Sequence, residues 1–246
     1  MIHIIGYGEM AKAIANGLKG EKEFAVVGRD TQKLKKFSKE FECEYFELDG
    51  FDISNKNILL AIKPYALQEV SMRIKGEANL LISILAGKAI FELQKYIKAK
   101  SYVRAMPNVA AKYKKSTTAL TGDLEAKDYS LKLFSYIGKA IWLESDDEID
   151  MATAIIGSGP AFLAIIAEAF SDGGVNIGLK RDKAVELTKG LFESFSSLDD
   201  NFSKIKDVVM SPNGTTAEGL YVLEEEAVRG KIIKTVKKTY EKSKKI

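Results

Sequence analysis

The sequence predicts a doubly wound α/β domain built on a parallel sheet, followed by an all-α C-terminal domain. Three observations predict it. Short, continuous apolar runs recur through the first part of the chain, and helix-period segments alternate with them. From about Glu144 the strand-like runs stop and only helical periodicity remains. Continuous apolar runs suit strands buried on both faces of a parallel sheet, and their alternation with helices is the βαβα pattern. At 246 residues the chain has room for two domains, expected over 1–145 and 146–246.

The elements follow in order. Ile2–Ile5, Phe24–Val27, Ile58–Ile62 and Leu80–Ile84 are the strong strand runs. Tyr45-Phe46, Tyr102–Arg104, Thr117–Leu120 and Ala140–Leu143 are weaker ones. Met10, Ile14 and Leu18 mark a first helix and Leu34, Phe37 and Phe41 a second; Leu67 with Val70 and Leu93 with Ile97 mark two more. Ser145-Asp146-Asp147-Glu148 suits a helix N-terminus, where acidic side chains meet the positive end of the helix dipole. Ala161, Phe162, Ile165, Ile166, Ala169 and Phe170 then form a helical face. Gly157-Ser158-Gly159-Pro160 is expected to interrupt the helical domain, with its proline as a first helical residue. Ala184, Leu187, Leu191 and Phe195 continue the pattern, as do Leu220 and Leu223, and then Ile232, Ile233, Val236 and Tyr240.

Composition excludes several classes. Hydrophobic residues make up 46% of the chain, so it is not a disordered protein. The net charge of +3 is uneven: the stretch from Arg229 to Ile246 holds eight basic residues, Lys245 among them, and one acid. The remainder has 29 basic against 33 acidic residues, which is no nucleic-acid-binding surplus. One cysteine, Cys43, makes no internal disulfide; one histidine, His3, argues against a histidine-based metal site or a Ser-His-Asp triad. No uninterrupted apolar run approaches the roughly 20 residues of a bilayer span. The expectation is a soluble, cytoplasmic protein with no metal, nucleic-acid or membrane partner.

Gly6-Tyr7-Gly8-Glu9-Met10-Ala11 is a G-x-G-x-x-A turn between the first strand and the first helix. Gly6 allows the tight turn, Gly8 lets a pyrophosphate approach the backbone, and Ala11 keeps helix and strand close. That context makes the first domain Rossmann-type and dinucleotide-binding. Dinucleotide sites for NAD usually carry an acid at the end of the second strand, where this chain has Gly28. Arg29 and Lys33 instead suit a 2′-phosphate, Arg29 through a forked charge-assisted hydrogen bond. The expected cofactor is NADPH, with NADH as the alternative; Asp30 is either an NAD-selecting acid or the cap of the second helix.

Ala61-Ile62-Lys63-Pro64 and Ala86-Gly87 end two further strands, where open α/β sheets bind ligands. Arg104-Ala105-Met106-Pro107-Asn108 follows another strand. Ser211-Pro212-Asn213-Gly214-Thr215-Thr216 precedes a helix; it reads as a loop with a threonine cap, or as successive N–H groups suited to a carboxylate. In this order, and over nearly the whole chain, these segments resemble pyrroline-5-carboxylate reductase. Thr153–Phe162, Asp172–Val175 and Asp207–Leu220 extend the likeness. Asn213 stands where the family's Ser-Pro-Gly-Gly-Thr-Thr signature has its first glycine, Glu9 where Asn or Gln is common, and Val109-Ala110 where Thr-Pro is usual.

The resemblance implies NAD(P)H-dependent reduction of 1-pyrroline-5-carboxylate to proline and a helical domain that builds a homodimer or larger homo-oligomer. It implies a substrate site at Ser211, Gly214, Thr215 and Thr216, with the Thr216 hydroxyl facing the ring nitrogen as the catalytic group. The cofactor candidates are Gly6, Gly8, Glu9, Met10, Ala11, Arg29, Lys33, Ala61, Ile62, Lys63, Pro64 and Ala86. A cyclic imine is readily protonated by solvent, so this chemistry needs no histidine, and His3 is expected to be structural. Two alternatives stand beside this reading. A β-hydroxyacid-type dehydrogenase would use a helical-domain lysine such as Lys183 or Lys189, and a non-catalytic NADP-binding regulator would explain Glu9 and Asn213 as decay of the site.

Overall fold

The apolar runs assemble into one eight-stranded sheet. The computed structural model describes residues 1–244; Lys245 of the basic end lies outside them. In chain order the strands are β1 (Ile2–Ile5), β2 (Phe24–Gly28), β3 (Glu44–Glu47), β4 (Phe51–Asp52), β5 (Asn57–Leu60), β6 (Ile74–Lys75), β7 (Ala78–Ser83), β8 (Ala99–Met106), β9 (Ser116–Gly122) and β10 (Gly138–Trp142). The sheet order is β10-β9-β8-β7-β5-β1-β2-β3, while β4 and β6 pair separately. Chain order runs outward in both directions from the β1–β5 pair, the switch point at which such sheets bind ligands.

Among the described residues only β8 and β9 pair antiparallel, so β9 and β10 run against the other six strands of the sheet. The cause is local. β8 and β9 are joined through a single 3₁₀ turn, Val109–Tyr113, too short for the crossover that parallel strands require.

Helices α1 (Glu9–Leu18), α2 (Thr31–Phe41), α3 (Leu67–Ser71), α4 (Ile90–Tyr96) and α5 (Lys127–Ser135) accompany the sheet. Alternate residues of each strand enter opposite cores. Ile2, Ile4, Val26 and Leu59 pack with Ile14, Leu18, Leu34 and Phe37 from α1 and α2. Ile5, Val27, Ile58 and Leu60 pack with Leu67, Val70 and Leu93 from α3 and α4. Burial on both faces is why these strands read as unbroken apolar runs.

The rest is helical: α6 (Asp146–Ala152), a π turn at Thr153–Gly157, α7 (Gly159–Asn176), α8 (Arg181–Ser196), α9 (Phe202–Val209), α10 (Thr215–Glu225) and α11 (Val228–Ser243). Ser145 caps α6, accepting from the Glu148 N–H at 3.3 Å. The expected break at Gly157–Pro160 is instead a change of helical pitch. Ser158 keeps right-handed helical geometry, and Pro160 falls in the first turn of α7, where its missing N–H is not needed. Helix therefore runs from Asp146 to Asn176, long and apolar enough by length and composition alone to cross a membrane, which no single apolar run announced. Only 11% of its most apolar stretch is buried within the chain.

The chain compacts as two units, Met1–Gly157 with the residues from Tyr240 onward, and Ser158–Thr239. Helix α6 belongs with the sheet because Arg104 holds it there. The Arg104 side chain on β8 is 1% exposed; its Nη1 donates to Asp146 Oδ1 at 3.1 Å and its Nη2 to Asp150 Oδ1 at 2.6 Å. The Ile90 N–H donates to the other Asp146 oxygen at 2.9 Å. Apolar packing of Ile149 on Met106 and Ala119 completes the contact.

In the second unit only Ser171, Ala184 and Thr188 are buried among the described residues. Ser171 Oγ donates to Thr188 Oγ1 at 3.1 Å, linking α7 to α8. Leu163, Ile165, Phe170, Leu187, Val208 and Ile233 are exposed.

Candidate functional site

The first candidate site grows from the β1–α1 turn. Gly6 has φ +121°, and a Cβ there would collide with the Ala61 carbonyl at the end of β5. The Gly6 N–H donates to the Val27 carbonyl at 2.9 Å, which ties the turn to β2. Gly8 is the N-cap of α1; no side chain caps it, and the space where its Cβ would stand is empty. The first N–H groups of α1 thus open onto free space at the positive end of a helix, the arrangement that receives a pyrophosphate.

A cleft of about 710 Å³ lies against this turn. It brings together Gly6, Gly8, Glu9, Met10, Arg29, Ala61, Ile62, Lys63, Pro64 and Ala86. Two candidates do not line it. Ala11 is fully buried, so it acts by letting α1 sit close to the sheet. Lys33 directs its Nζ to Asp30, 3.6 Å away, and lies 5.7 Å from the Tyr7 ring centre. The Glu9 carboxylate is 92% exposed and pairs with Lys12 at 3.1 Å. A side chain so placed does not crowd the phosphate cradle. Tyr7, Tyr65, Met106 and Pro107 also line the cleft. Tyr7 occupies a variable position of the glycine turn, and Met106-Pro107 was visible only as a segment following a strand.

At the end of β2, one of the two readings of Asp30, the cap, is seen directly. Asp30 caps α2, accepting from the Lys33 N–H at 3.0 Å. That hydrogen bond holds its carboxyl below the usual carboxylate range. At Gly28, a Cβ would come within 2.5 Å of the Tyr7 ring, so Tyr7 occupies the place of any side chain there. Arg29 reaches Glu69 of α3, with Nη1 at 2.8 and 2.9 Å from its two oxygens. This pairing favours the charged guanidinium still further.

The second candidate site is the turn before α10. Asn213 adopts the left-handed conformation, with φ 57°, that asparagine tolerates. The cap of α10 is Gly214, not a threonine, and it offers no side-chain hydrogen bond. The Gly214 N–H is already spent on the Ser211 carbonyl at 3.0 Å. Among the described residues, the Thr215 and Thr216 N–H groups and both threonine hydroxyls have no partner. Thr215 is exposed and Thr216 half-buried. Of the expected group of four, Thr215 and Thr216 thus carry the open N–H donors and the free hydroxyls.

His3 lies within β1 and is 3% exposed, with its ring 5.6 Å from that of Phe51 and 6.0 Å from that of Phe46. Burial, reinforced by Lys56, lowers its pKa, so the ring is a neutral core group.

Comparison with known proteins identifies the frame. Residues 146–246 match the family described as pyrroline-5-carboxylate reductase dimerisation. Residues 1–87 match that described as NADP oxidoreductase, coenzyme F420-dependent. A pyrroline-5-carboxylate reductase from Helicobacter pylori is 32% identical over 98% of this chain and 98% of its own length. The chain belongs to the pyrroline-5-carboxylate reductase family. A Synechocystis reductase is 34% identical over 98% of this chain and 96% of its own. Among solved structures, the Coxiella burnetii reductase superposes with a TM-score of 0.86 at 26% identity, covering 99% of this chain and 97% of that one. The Plasmodium falciparum reductase, solved with NADP bound, gives 0.75 at 25% identity, covering 99% and 96%. In this member of the reductase family, the glycine turn and the Ser211–Thr216 turn fall in separate compact units.

Proposed function

We propose that this chain reduces 1-pyrroline-5-carboxylate to proline with NADPH, the last step of proline biosynthesis, as a cytoplasmic homo-oligomer. The observation that carries the reading is the turn at Ser211–Thr216. It leaves two N–H groups at the start of α10 open to a small carboxylate, beside a hydroxyl suited to a ring nitrogen. Full-length relatives named for this reaction support it. The Gly6–Gly8 cradle fits the pyrophosphate of a nicotinamide dinucleotide, and a related structure holds NADP.

The nicotinamide, when bound, supplies the hydride. The protein's share is alignment. Thr215 and Thr216 N–H groups fix the substrate carboxylate, and the Thr216 hydroxyl orients the imine nitrogen, which solvent protonates. Fixing a small substrate against its reductant in this way contributes several kcal/mol. NADPH is favoured over NADH because Tyr7 leaves no room for a ribose-binding acid at position 28, Asp30 is engaged as a cap, and Arg29 lines the cleft. The exposed apolar faces of α7–α11, matched to a dimerisation family, are the surfaces through which we propose the subunits assemble.

Mixing the protein with NADPH and pyrroline-5-carboxylate, and following the absorbance of the reduced nicotinamide, tests the reading. Consumption that requires both is expected. Cofactor binding without consumption would instead support a non-catalytic regulator. The hydroxyacid alternative gains nothing from Lys183, whose Nζ is paired with Glu186 at 2.7 Å.

A further inference from the structure

Four charges beside the glycine-turn cleft form a chain: Arg29, Glu69, Arg73 and Asp49. Arg29 Nη1 alone donates to both Glu69 oxygens, at 2.8 and 2.9 Å. Arg73 Nη2 stands 3.4 Å from Glu69 Oε1, and Arg73 Nη1 stands 3.3 Å from Asp49. The remaining edge of the Arg29 guanidinium, Nε with Nη2, has no acceptor among the described residues. That edge is the side-on fork by which arginine grips a phosphate with two parallel hydrogen bonds. Glu69 does not line the cleft, whereas Arg29 does.

We propose that Glu69 is a positioning residue for cofactor choice: it pins Arg29 by one nitrogen so that the free fork receives a phosphomonoester, the group that distinguishes NADPH from NADH. The inference rests on the NADPH reading above. Glu69 could have opposite effects, and magnitudes decide between them. Freezing a rotamer-rich side chain on binding weakens affinity by roughly two- to tenfold, and an arginine held by a half-exposed pair avoids part of that. Repulsion between Glu69 and the incoming phosphate, acting through solvent, weakens it by less than about threefold, and Arg73 neutralises part of the Glu69 charge. Pinning is expected to outweigh repulsion because Arg73, itself tied to Asp49, holds Glu69 from its other side.

The test is titration calorimetry of the full-length protein with NADPH, NADH and 2′,5′-ADP. Glu69→Ala removes the anchor and the charge; Glu69→Gln keeps an acceptor for Nη1 and removes only the charge. Glu69→Ala is expected to bind NADPH and 2′,5′-ADP roughly two- to tenfold more weakly, with NADH unchanged as the control for folding. Glu69→Gln is expected to restore most of the loss, and in an Arg29→Ala background Glu69→Ala is expected to add nothing. NADPH binding that is unchanged or tighter in Glu69→Ala overturns the proposal, as does equal weakening of NADH. A wild-type protein that binds NADPH no better than NADH shows that the cofactor reading itself has failed, before any variant is made.

Discussion

Removing one partner of Arg104 should destabilise the sheet unit sharply. The guanidinium is 1% exposed, and its charge is met by two carboxylates that are only 29% and 22% exposed. Its Nε already lacks a partner. Asp150→Ala would strand Nη2 as well, leaving a buried cation with Asp146 alone. Breaking a buried pair by deleting one partner costs about 3–5 kcal/mol. Here Asp146 remains, and alanine favours the α6 helix over aspartate by a few tenths of a kcal/mol, so the expected loss is about 2–3 kcal/mol. For a chain of this size that lowers the melting temperature by roughly 4–12 °C, read by calorimetry. The double variant Arg104→Met/Asp150→Ala removes the stranded cation as well and should melt above Asp150→Ala. If Asp150→Ala melts within about 1 °C of wild type, or the double variant melts lower still, an uncompensated buried charge is not what holds α6.

Three further outcomes are expected. Gly8→Ala should lower the melting temperature only slightly, through the poorer N-cap, since its Cβ meets nothing, yet weaken NADPH binding more than tenfold in a fluorescence titration. Gly6→Ala should instead destabilise the fold by about 1–3 kcal/mol in urea, because the left-handed conformation and the Ala61 carbonyl both exclude a side chain. Thr216→Ala should lower turnover roughly tenfold or more at unchanged stability in steady-state kinetics, since its hydroxyl bonds to no described residue. His3 has its pKa lowered by burial, so below pH 6.5 the unfolded chain binds a proton that the folded chain does not. Stability should therefore fall as pH drops from 6.5 toward the lowered folded value, and urea midpoints across that range should show a flatter slope for His3→Phe.

Much of the sheet was legible because its strands are buried on both faces: Ile2–Ile5 or Leu80–Ile84 can hardly be read otherwise. The reversal at β9 was not, because strand direction depends on the short Val109–Tyr113 link rather than on strand composition. Helix α5 has little periodic signature because charges dilute its apolar positions, Leu133 and Phe134 being its buried anchors. The glycine turn was readable from spacing alone, since backbone geometry demands glycine there. Asp30 as a cap was one of two local options, and the Lys33 N–H that it accepts is visible only in the fold. The partner of Arg29 was invisible, being 40 residues away, and so was the clasp between Arg104 and α6. Side-chain pairs of this kind leave no periodic trace in the sequence.

The scarcity of buried side chains in Ser158–Thr239 makes concentration a folding variable. Three buried residues do not make a core that offsets the conformational entropy of five helices, so that unit's stability must come from what covers it. The sheet unit, with apolar cores of its own, is expected to fold independently of dilution. If the exposed helices assemble as proposed, the helical unit should acquire its order in a second-order step whose midpoint rises with protomer concentration. Newly made chains would then pass through a half-finished form with an intact nucleotide cradle and apolar helices still awaiting a partner.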